Sequence, residues 1–558
     1  MKTTRRIAFA AAVALGAAGC TGAAPTAQGT SGAPSATPRS SAASPATTPA
    51  ASPTVPRLSQ AQRRRAAADV APLSTAALAA QLVVPDLGSI DAGAAATVRQ
   101  QGYGGVVVMR NALPAGPAAA GAAKAGNARI SAAVTASGRR WPAFVAVDQE
   151  GGTVTRLDAP LTQFPGAMAL GAAGSAGLAA KVGRASGAEL RGLGFTVVMA
   201  PDADVTIGAA DPTIGVRSPG SDPALVSRIA AGYVRGYRQS GILPVVKHFP
   251  GHGSVRGDTH TGLARQDADL AALTKRDLVP FRDAVKAGAP AVMTAHVILD
   301  AVDRQRPASL SRAVTTDLLR DKLGYQGLIV TDALNMGAIT EGIGAGEAAV
   351  RALEAGADVL LMPADPAAAV SAIEDAVTTG RISRSRLEAS AALMVATLRA
   401  NVAAVPKDSA PGSHGNIARE VATSSLTQIS GRCGRRLVGR SITPSGGTAA
   451  DRAALAAAAK RAGLRVNDTG TTVALLGGGV YRAGSARSSG ATSATADVLV
   501  ALDVPYGLAS SKGVKIAAYG RTPATFTAVV DVLLGRSRAP GALPVAVGSV
   551  QAGAGCGR

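Results

Sequence analysis

One stretch holds most of the residues able to move protons or bind ions: KHFPGHGSVRGDTH, residues 247–260. Four of the chain's five histidines, His248, His252, His260 and His296, lie in it or on the next apolar run. Three readings fit these residue types and spacings. Histidines together with Asp258 make one kind of metal-ligand set. Asp258, two residues before His260 on a loop, also suits acid/base catalysis, the carboxylate orienting the imidazole and stabilising its charged form. The third reading is local hydrogen bonding within a glycine-rich turn, and spacing alone leaves all three open.

Chemistry of this kind needs elements that aim it. Eight short apolar runs recur: QLVVP (81–85), GGVVVMR (104–110), PAFVAVD (142–148), FTVVMAP (195–201), ILPVVKH (242–248), PAVMTAH (290–296), GLIVTD (327–332) and ADVLLMP (357–363). They are continuously apolar rather than alternating, as strands covered on both faces are. Ala-rich stretches with helical spacing separate them, such as Asp222 to Gly241 and Leu270 to Gly288. Arg110, Asp148, Asp204, Lys247, His248, His296 and Asp332 come at or near the ends of runs. A (β/α)₈ barrel gathers its site at the C-terminal ends of its strands, so this pattern favours a barrel over residues 58–400 against an open doubly wound sheet. Ile382 to Asn401 reads as its closing helix and 401–416 as a linker. Residues 417–558 read as a smaller α/β sandwich, with helices at Ile417–Ser425 and Pro523–Leu534 and runs TVALLGG (472–478), DVLVALD (497–503), KIAAYG (515–520) and PGALPVAVG (540–548).

The 247–260 segment closely resembles the signature of glycoside hydrolase family 3, in its β-N-acetylhexosaminidase branch. DQEGGTVTRL (148–157), IGVRS (214–218), PASLS (307–311) and VTDALNMGAI (330–339) carry the same resemblance, in family order across 58–400. The C-terminal stretch resembles the family's sandwich domain more weakly. The resemblance implies a retaining exo-β-N-acetylglucosaminidase acting on GlcNAc-containing peptidoglycan fragments. It implies Asp332 as nucleophile, His260 as general acid/base and Asp258 as its paired carboxylate. Asp148, Arg156, Arg217, Lys247 and His248 match the residues that bind sugar hydroxyls, and His252, His296 and Asp204 stand as supporting groups. No cofactor and no metal is implied. A phosphorylase that passes the sugar to phosphate, or another family 3 β-glycosidase, is the near alternative. A wall-binding lipoprotein without catalysis and a metal-dependent barrel hydrolase are the alternatives of other classes.

Composition sets the surroundings. The chain is 558 residues, 47% apolar and 17% charged, enough to bury large cores. No apolar run reaches the roughly 18 residues of a membrane helix. Lys2, Arg5 and Arg6 precede an apolar stretch, Ile7 to Gly19, as in an export signal. Its end, Ala17-Ala18-Gly19-Cys20, resembles a bacterial lipobox, which implies a signal peptide over 1–20, a lipid anchor on Cys20, and a place on the outer face of the cell membrane. Residues 21–57, rich in Ala, Ser, Thr and Pro without an acidic residue, read as a disordered tether. Of the net charge of +21, residues 401–558 carry +11. Such a surface attracts anionic polymer, here of the cell wall. Aromatics at 3% and the lack of a basic-aromatic stacking motif argue against nucleic acid. Outside the cytoplasm Cys433 and Cys556 are candidates for a disulfide, though sequence does not bring them together.

Overall fold

A run that is apolar at every position is stable as a strand only where both its faces are covered. The computed structural model, which describes residues 58–259, 262–477 and 494–556, builds a strand from each of the runs between 81 and 363. These are β1 (Val83–Val84), β2 (Gly105–Val107), β3 (Phe144–Val147), β4 (Val197–Val198), β5 (Leu243–Phe249), β6 (Ala291–Thr294), β7 (Leu328–Thr331) and β8 (Leu360–Leu361). β2 to β7 pair in chain order and in parallel, and β8 pairs in parallel with β1. The Thr331 N–H donates to Val359 O at 3.0 Å, joining β7 to β8, and the Val107 N–H donates to Pro85 O at 3.0 Å, joining β2 to β1. The sheet therefore closes on itself as a (β/α)₈ barrel. The expected signal peptide, Cys20 and the tether lie outside the described residues.

Strand periodicity divides the apolar residues into two layers. Val107, Ala146, Val197, Val245, Met293 and Val330 fill the barrel's interior. Their neighbours Val106, Val145 and Val198, and Val246, Val292 and Ile329, pack outward against helices. The stretch Leu270 to Gly288 forms two helices, Leu270–Lys275 and Leu278–Lys286, where the sequence suggested one. Pro280 lacks an N–H and fits only in a first turn, so the second helix begins just before it. The break places Asp277 in a buried position, where its carboxylate accepts from Ser254 Oγ at 2.6 Å.

The C-terminal unit is a six-stranded sheet: β9 (Thr427–Gln428), β10 (Ser441–Gly446), β11 (Arg465–Val466), β12 (Thr471–Leu476), β13 (Thr495–Ala501) and β14 (Lys512–Ala517), in the order β9-β14-β13-β12-β10-β11. Only β9 runs antiparallel to its neighbour. One face, with Val473, Leu475, Val498 and Val500, packs on Leu455 and Phe526 of helices Ala449–Arg461 and Pro523–Leu533. The alternate residues Ala474, Leu476, Leu499 and Ala501 share a core with Met168 and Leu170 of the barrel. β10 and β11 had no apolar run to announce them, since Ile442 is the one fully covered residue of the two strands. PGALPVAVG forms no strand. Pro540 and Pro544 cannot donate to a ladder, and the segment instead returns to the barrel, where the Ala542 N–H donates to Ala172 O at 3.0 Å and Pro544 O accepts from the Ser221 N–H at 3.1 Å.

Cys433 and Cys556, 123 positions apart in sequence, form a disulfide with Cα atoms 5.6 Å apart. It ties the loop before β10 to the last described turn of the chain. Replacing both cysteines by serine should lower the stability of the C-terminal unit by about 2–4 kcal/mol, read as an earlier transition in chemical denaturation under oxidising conditions.

Candidate active site

The C-terminal rim of the barrel collects the charged residues. Asp148 follows β3, Asp202 and Asp204 follow β4, β5 carries Lys247 and His248, and Asp332 follows β7. Arg217 ends a short turn, Gly215–Arg217. These groups form one connected chain. Asp148 accepts from Arg156 Nη2 at 3.1 Å and from Lys247 Nζ at 2.8 Å. Lys247 Nζ also lies 2.8 Å from Glu150 Oε1. Arg217 donates through Nε and Nη2 to the two oxygens of Glu150, each at 2.9 Å, and its Nη2 lies 3.2 Å from His248 Nε2.

Burial would make each ion costly, and pairing reverses the balance. Burial pushes Asp148 up, but Lys247 and Arg156 outweigh it and bring its carboxyl to about 2. Glu150 is held well below the usual range against its burial by Arg217 and Lys247. Burial pulls Lys247 down, and Asp148 and Glu150 more than restore it. All three therefore stay ionised at neutral pH.

The same network fixes a proton position. A guanidinium only donates, so His248 Nε2 must accept from Arg217. The ring's proton then sits on Nδ1 and is donated to Asp204 Oδ2 at 2.7 Å. Burial, followed by Arg217, brings His248 down to about 4. Asp204 Oδ1 takes the His252 backbone N–H at 2.6 Å, and the Asp204 N–H donates to Asp202 Oδ1 at 2.9 Å. Burial raises both carboxyls, and Asp204 raises Asp202 further. With Asp204's oxygens facing N–H donors, the proton this pair retains belongs on Asp202. Asp202, Asp204 and His248 offer ligand atoms within 4.8 Å of one another. Within the set the Asp204 N–H reaches Asp202 Oδ1 and His248 Nδ1 reaches Asp204 Oδ2, and the Arg217 guanidinium lies 3.5 Å from Asp202 Oδ2.

Asp332 is held by its backbone, its N–H donating to Thr294 O at 2.9 Å, and its Oδ1 accepts the Ala333 N–H at 2.8 Å. Its charge reaches both His248 and His252. Buried His296 donates from Nε2 to Ala333 O at 2.9 Å and accepts from Ser309 Oγ at 2.7 Å, which braces the turn after Asp332. Asp258 is half-buried on the loop after β5. His260 lies outside the described residues. That loop is anchored: buried His252 meets Thr259 Oγ1 through Nε2 at 3.0 Å. Its first glycines serve close approach rather than looseness. Gly251 has φ +121, and a Cβ on Gly253 would stand 2.6 Å from Val205 O.

The structure thus joins Asp148, Arg156, Arg217, Lys247 and His248 through Glu150, and brings Asp332 near enough for its charge to act on His248. Sequence reading did not single out Glu150 and Asp202. The available signal was position, since Glu150 stands two residues past Asp148 and Asp202 two before Asp204. A cavity of about 930 Å³ elsewhere on the barrel, lined by Arg320, Glu347, Arg351, Asp358 and Arg381 among others, includes none of the residues marked from sequence. Arg320 pairs with Asp358 there, and Arg351 and Arg381 pair with Glu347.

The model of the "Glycosyl hydrolase family 3 N terminal domain" matches residues 76–397, more than half the chain. The chain belongs to glycosyl hydrolase family 3. Among family relatives, beta-hexosaminidase A of Pseudoalteromonas piscicida is 34% identical over 333 residues, 54% of this chain and 55% of that protein, so the match spans about half of that relative's length. Beta-hexosaminidase LpqI of Mycobacterium tuberculosis is 38% identical over 277 residues, 48% of this chain and 71% of the relative. The solved structure of a family 3 beta-N-acetylglucosaminidase from Paenibacillus sp. FPU-7 superposes with TM-score 0.72 at 28% identity, covering 85% of this chain and 99% of that one.

Two outcomes follow from the family 3 rim described here. Glu150→Gln removes the charge between Arg217 and Lys247 and should cost about 3 kcal/mol in urea denaturation. Burial also brings His252 to about 4, followed by the effect of His248. An unfolded imidazole binds its proton near pH 6.5, so the unfolded chain takes up protons first on acidification. Over the same range the raised Asp202–Asp204 pair binds protons in the folded chain and offsets the resulting loss of stability, so the check is spectral: ¹³C-labelled histidine spectra should show both rings neutral down to about pH 4.

Proposed function

We propose that the protein is a retaining β-N-acetylglucosaminidase that removes terminal GlcNAc from peptidoglycan fragments through a covalent intermediate on Asp332. The observation that carries this reading is the position of Asp332, on a strand end of the closed barrel and near enough for its charge to act on His248 of a rim of paired Lys, Arg, Asp and His groups suited to sugar hydroxyls. The names of the relatives support the N-acetyl sugar.

In this mechanism the Asp332 carboxylate attacks the anomeric carbon while the bond to the leaving oxygen breaks. His260, as imidazolium, gives that oxygen its proton, and Asp258 holds the ring and balances its charge. A water then attacks the anomeric carbon as His260 takes its proton, the new C–O bond forming while the bond from sugar to Asp332 breaks and restores the carboxylate. Asp148 and Lys247 grip hydroxyls as ions. Arg217, its fork aimed by Glu150 and His248, presents directed donors, so the sugar meets groups already in place. An export signal with a lipid on Cys20 would hold the enzyme at the outer membrane face, where wall fragments arise.

Asp332→Ala should lose at least ~10³-fold in kcat on p-nitrophenyl N-acetyl-β-glucosaminide. A 5-fluoro-GlcNAc fluoride should add its sugar mass to the peptide containing Asp332, and to no other. Added phosphate should leave the rate and the product unchanged; faster turnover with sugar 1-phosphate would instead reveal a phosphorylase. Full activity in Asp332→Ala would end the proposal.

A further inference from the structure

The excess positive charge of the C-terminal region is not spread evenly. Three segments distant in sequence meet at the end of the sheet where β10 and β11 begin. The first, residues 431–440, carries Arg432, Arg435, Arg436 and Arg440 and is tied down by the Cys433–Cys556 disulfide. The second is the end of helix Ala449–Arg461 and the start of β11, with Lys460, Arg461 and Arg465. The third follows helix Pro523–Leu533 and carries Arg536 and Arg538.

Backbone contacts hold the three together. The Leu437 N–H donates to Leu533 O at 2.8 Å, and the Arg465 N–H to Arg440 O at 3.1 Å. Arg536 Nη2 reaches Ala462 O at 3.4 Å, and a Cβ on Gly434 would lie 3.2 Å from Arg538 Cγ. All of these basic side chains are exposed. Arg436 turns back onto the Val438 and Gly439 carbonyls, and Arg536 stands 3.7 Å from Asp531. Arg432, Arg435, Arg440, Arg461, Arg465 and Arg538 have no ion pair and no side-chain hydrogen bond among the described residues. Lys460 and Arg461 favour the negative end of their helix dipole, but that accounts for about half a charge. The rest is uncompensated repulsion, which a bound polyanion would relieve.

We infer that this end of the C-terminal unit is a docking surface for a flexible phosphodiester polyanion without bases. Arginine dominates the patch, and its planar fork matches phosphate oxygens. Residues 431–440, 460–465 and 534–538 contain no aromatic side chain on which a nucleobase would stack. The exposed large apolar side chains among the described residues, Leu263 and Val405, are in none of these segments, so nothing here inserts into a bilayer. The disulfide holds the first segment in place, which lowers the ordering cost of binding. The surface is separate from the catalytic rim and does not depend on the reading of the reaction.

The test is fluorescence anisotropy with an end-labelled poly(glycerol phosphate) of about 20 units and the purified protein. Binding at 50 mM salt should weaken at least ~10-fold by 200 mM, as release of several counterions requires. The variant Arg435→Gln/Arg440→Gln/Arg465→Gln/Arg538→Gln should bind at least tenfold more weakly, with an unchanged melting curve. A variant with the same charge removed from the barrel, Arg64→Gln/Arg65→Gln/Arg99→Gln/Arg129→Gln, should bind like the parent. If the first variant does not fold, Arg440→Gln/Arg465→Gln alone should still weaken binding several-fold. Absence of binding by the parent, equal loss in both sets of variants, or tighter binding to single-stranded DNA or to phosphatidylglycerol vesicles would overturn the inference.

Discussion

A buried ion needs a partner, and at this rim each ion is the partner of another. Lys247 is shared by Asp148 and Glu150, and Glu150 is shared by Lys247 and Arg217. Removing any one leaves an uncompensated charge in a place water does not fill, which costs far more than the pair contributes. The apolar wall of the barrel makes the constraint strict. Its interior accepts no charge, so the ions are confined to the strand ends, and their mutual distances are fixed by strands that cannot slide. The geometry offered to a sugar is therefore settled by the fold before any ligand arrives.

The network also decides which groups can exchange protons near neutral pH. His248 is tied to its neutral tautomer between a donor, Arg217, and an acceptor, Asp204. Both of its ring nitrogens are thereby committed, and it is a poor proton carrier, because protonating Nε2 would set two cations against each other. His252 is buried and faces the same histidine, and its ring is committed to Thr259. His296 is committed on both nitrogens. Neither His248 nor His252 therefore changes charge near neutral pH.

The barrel was legible because its strands are continuous apolar runs, the one pattern that demands cover on both faces. Where the pattern was absent, sequence reading had nothing to hold. β10 buries only Ile442 fully and leaves most of its other residues half-buried, so it looks like loop. PGALPVAVG is apolar enough to resemble a strand, but its two prolines remove the donors a ladder needs. Within the site, Asp148, Lys247 and Asp332 stand at run ends and could be read directly. Glu150 and Asp202 could not, since their importance lies in contacts between segments far apart in sequence. In the glycine-rich loop after β5, Gly251 is required by its φ of +121 and Gly253 by the Val205 backbone, which passes too close for a side chain.

The C-terminal unit acts on the site through backbone rather than side chains. The Ser221 N–H donates to Pro544 O, and Gly220 O accepts from the Thr206 N–H at 3.2 Å and from Ser218 Oγ at 3.0 Å. Ser218 follows Arg217 directly. The segment that presents Arg217 is thus clamped between the loop after β4 and the returning strap of the C-terminal unit. A second support lies at Gly520, where a Cβ would stand 2.7 Å from Pro165. Pro165 belongs to the loop whose earlier part carries Arg156, and the Gly152 N–H in that loop donates to Phe164 O at 2.9 Å. The two arginines of the rim therefore sit on segments backed by the second unit, while Asp148, Lys247 and Asp332 stand on the barrel's own strands. Because a guanidinium is useful only when its fork is aimed, the longest side chains of the site are those whose backbones most need outside support.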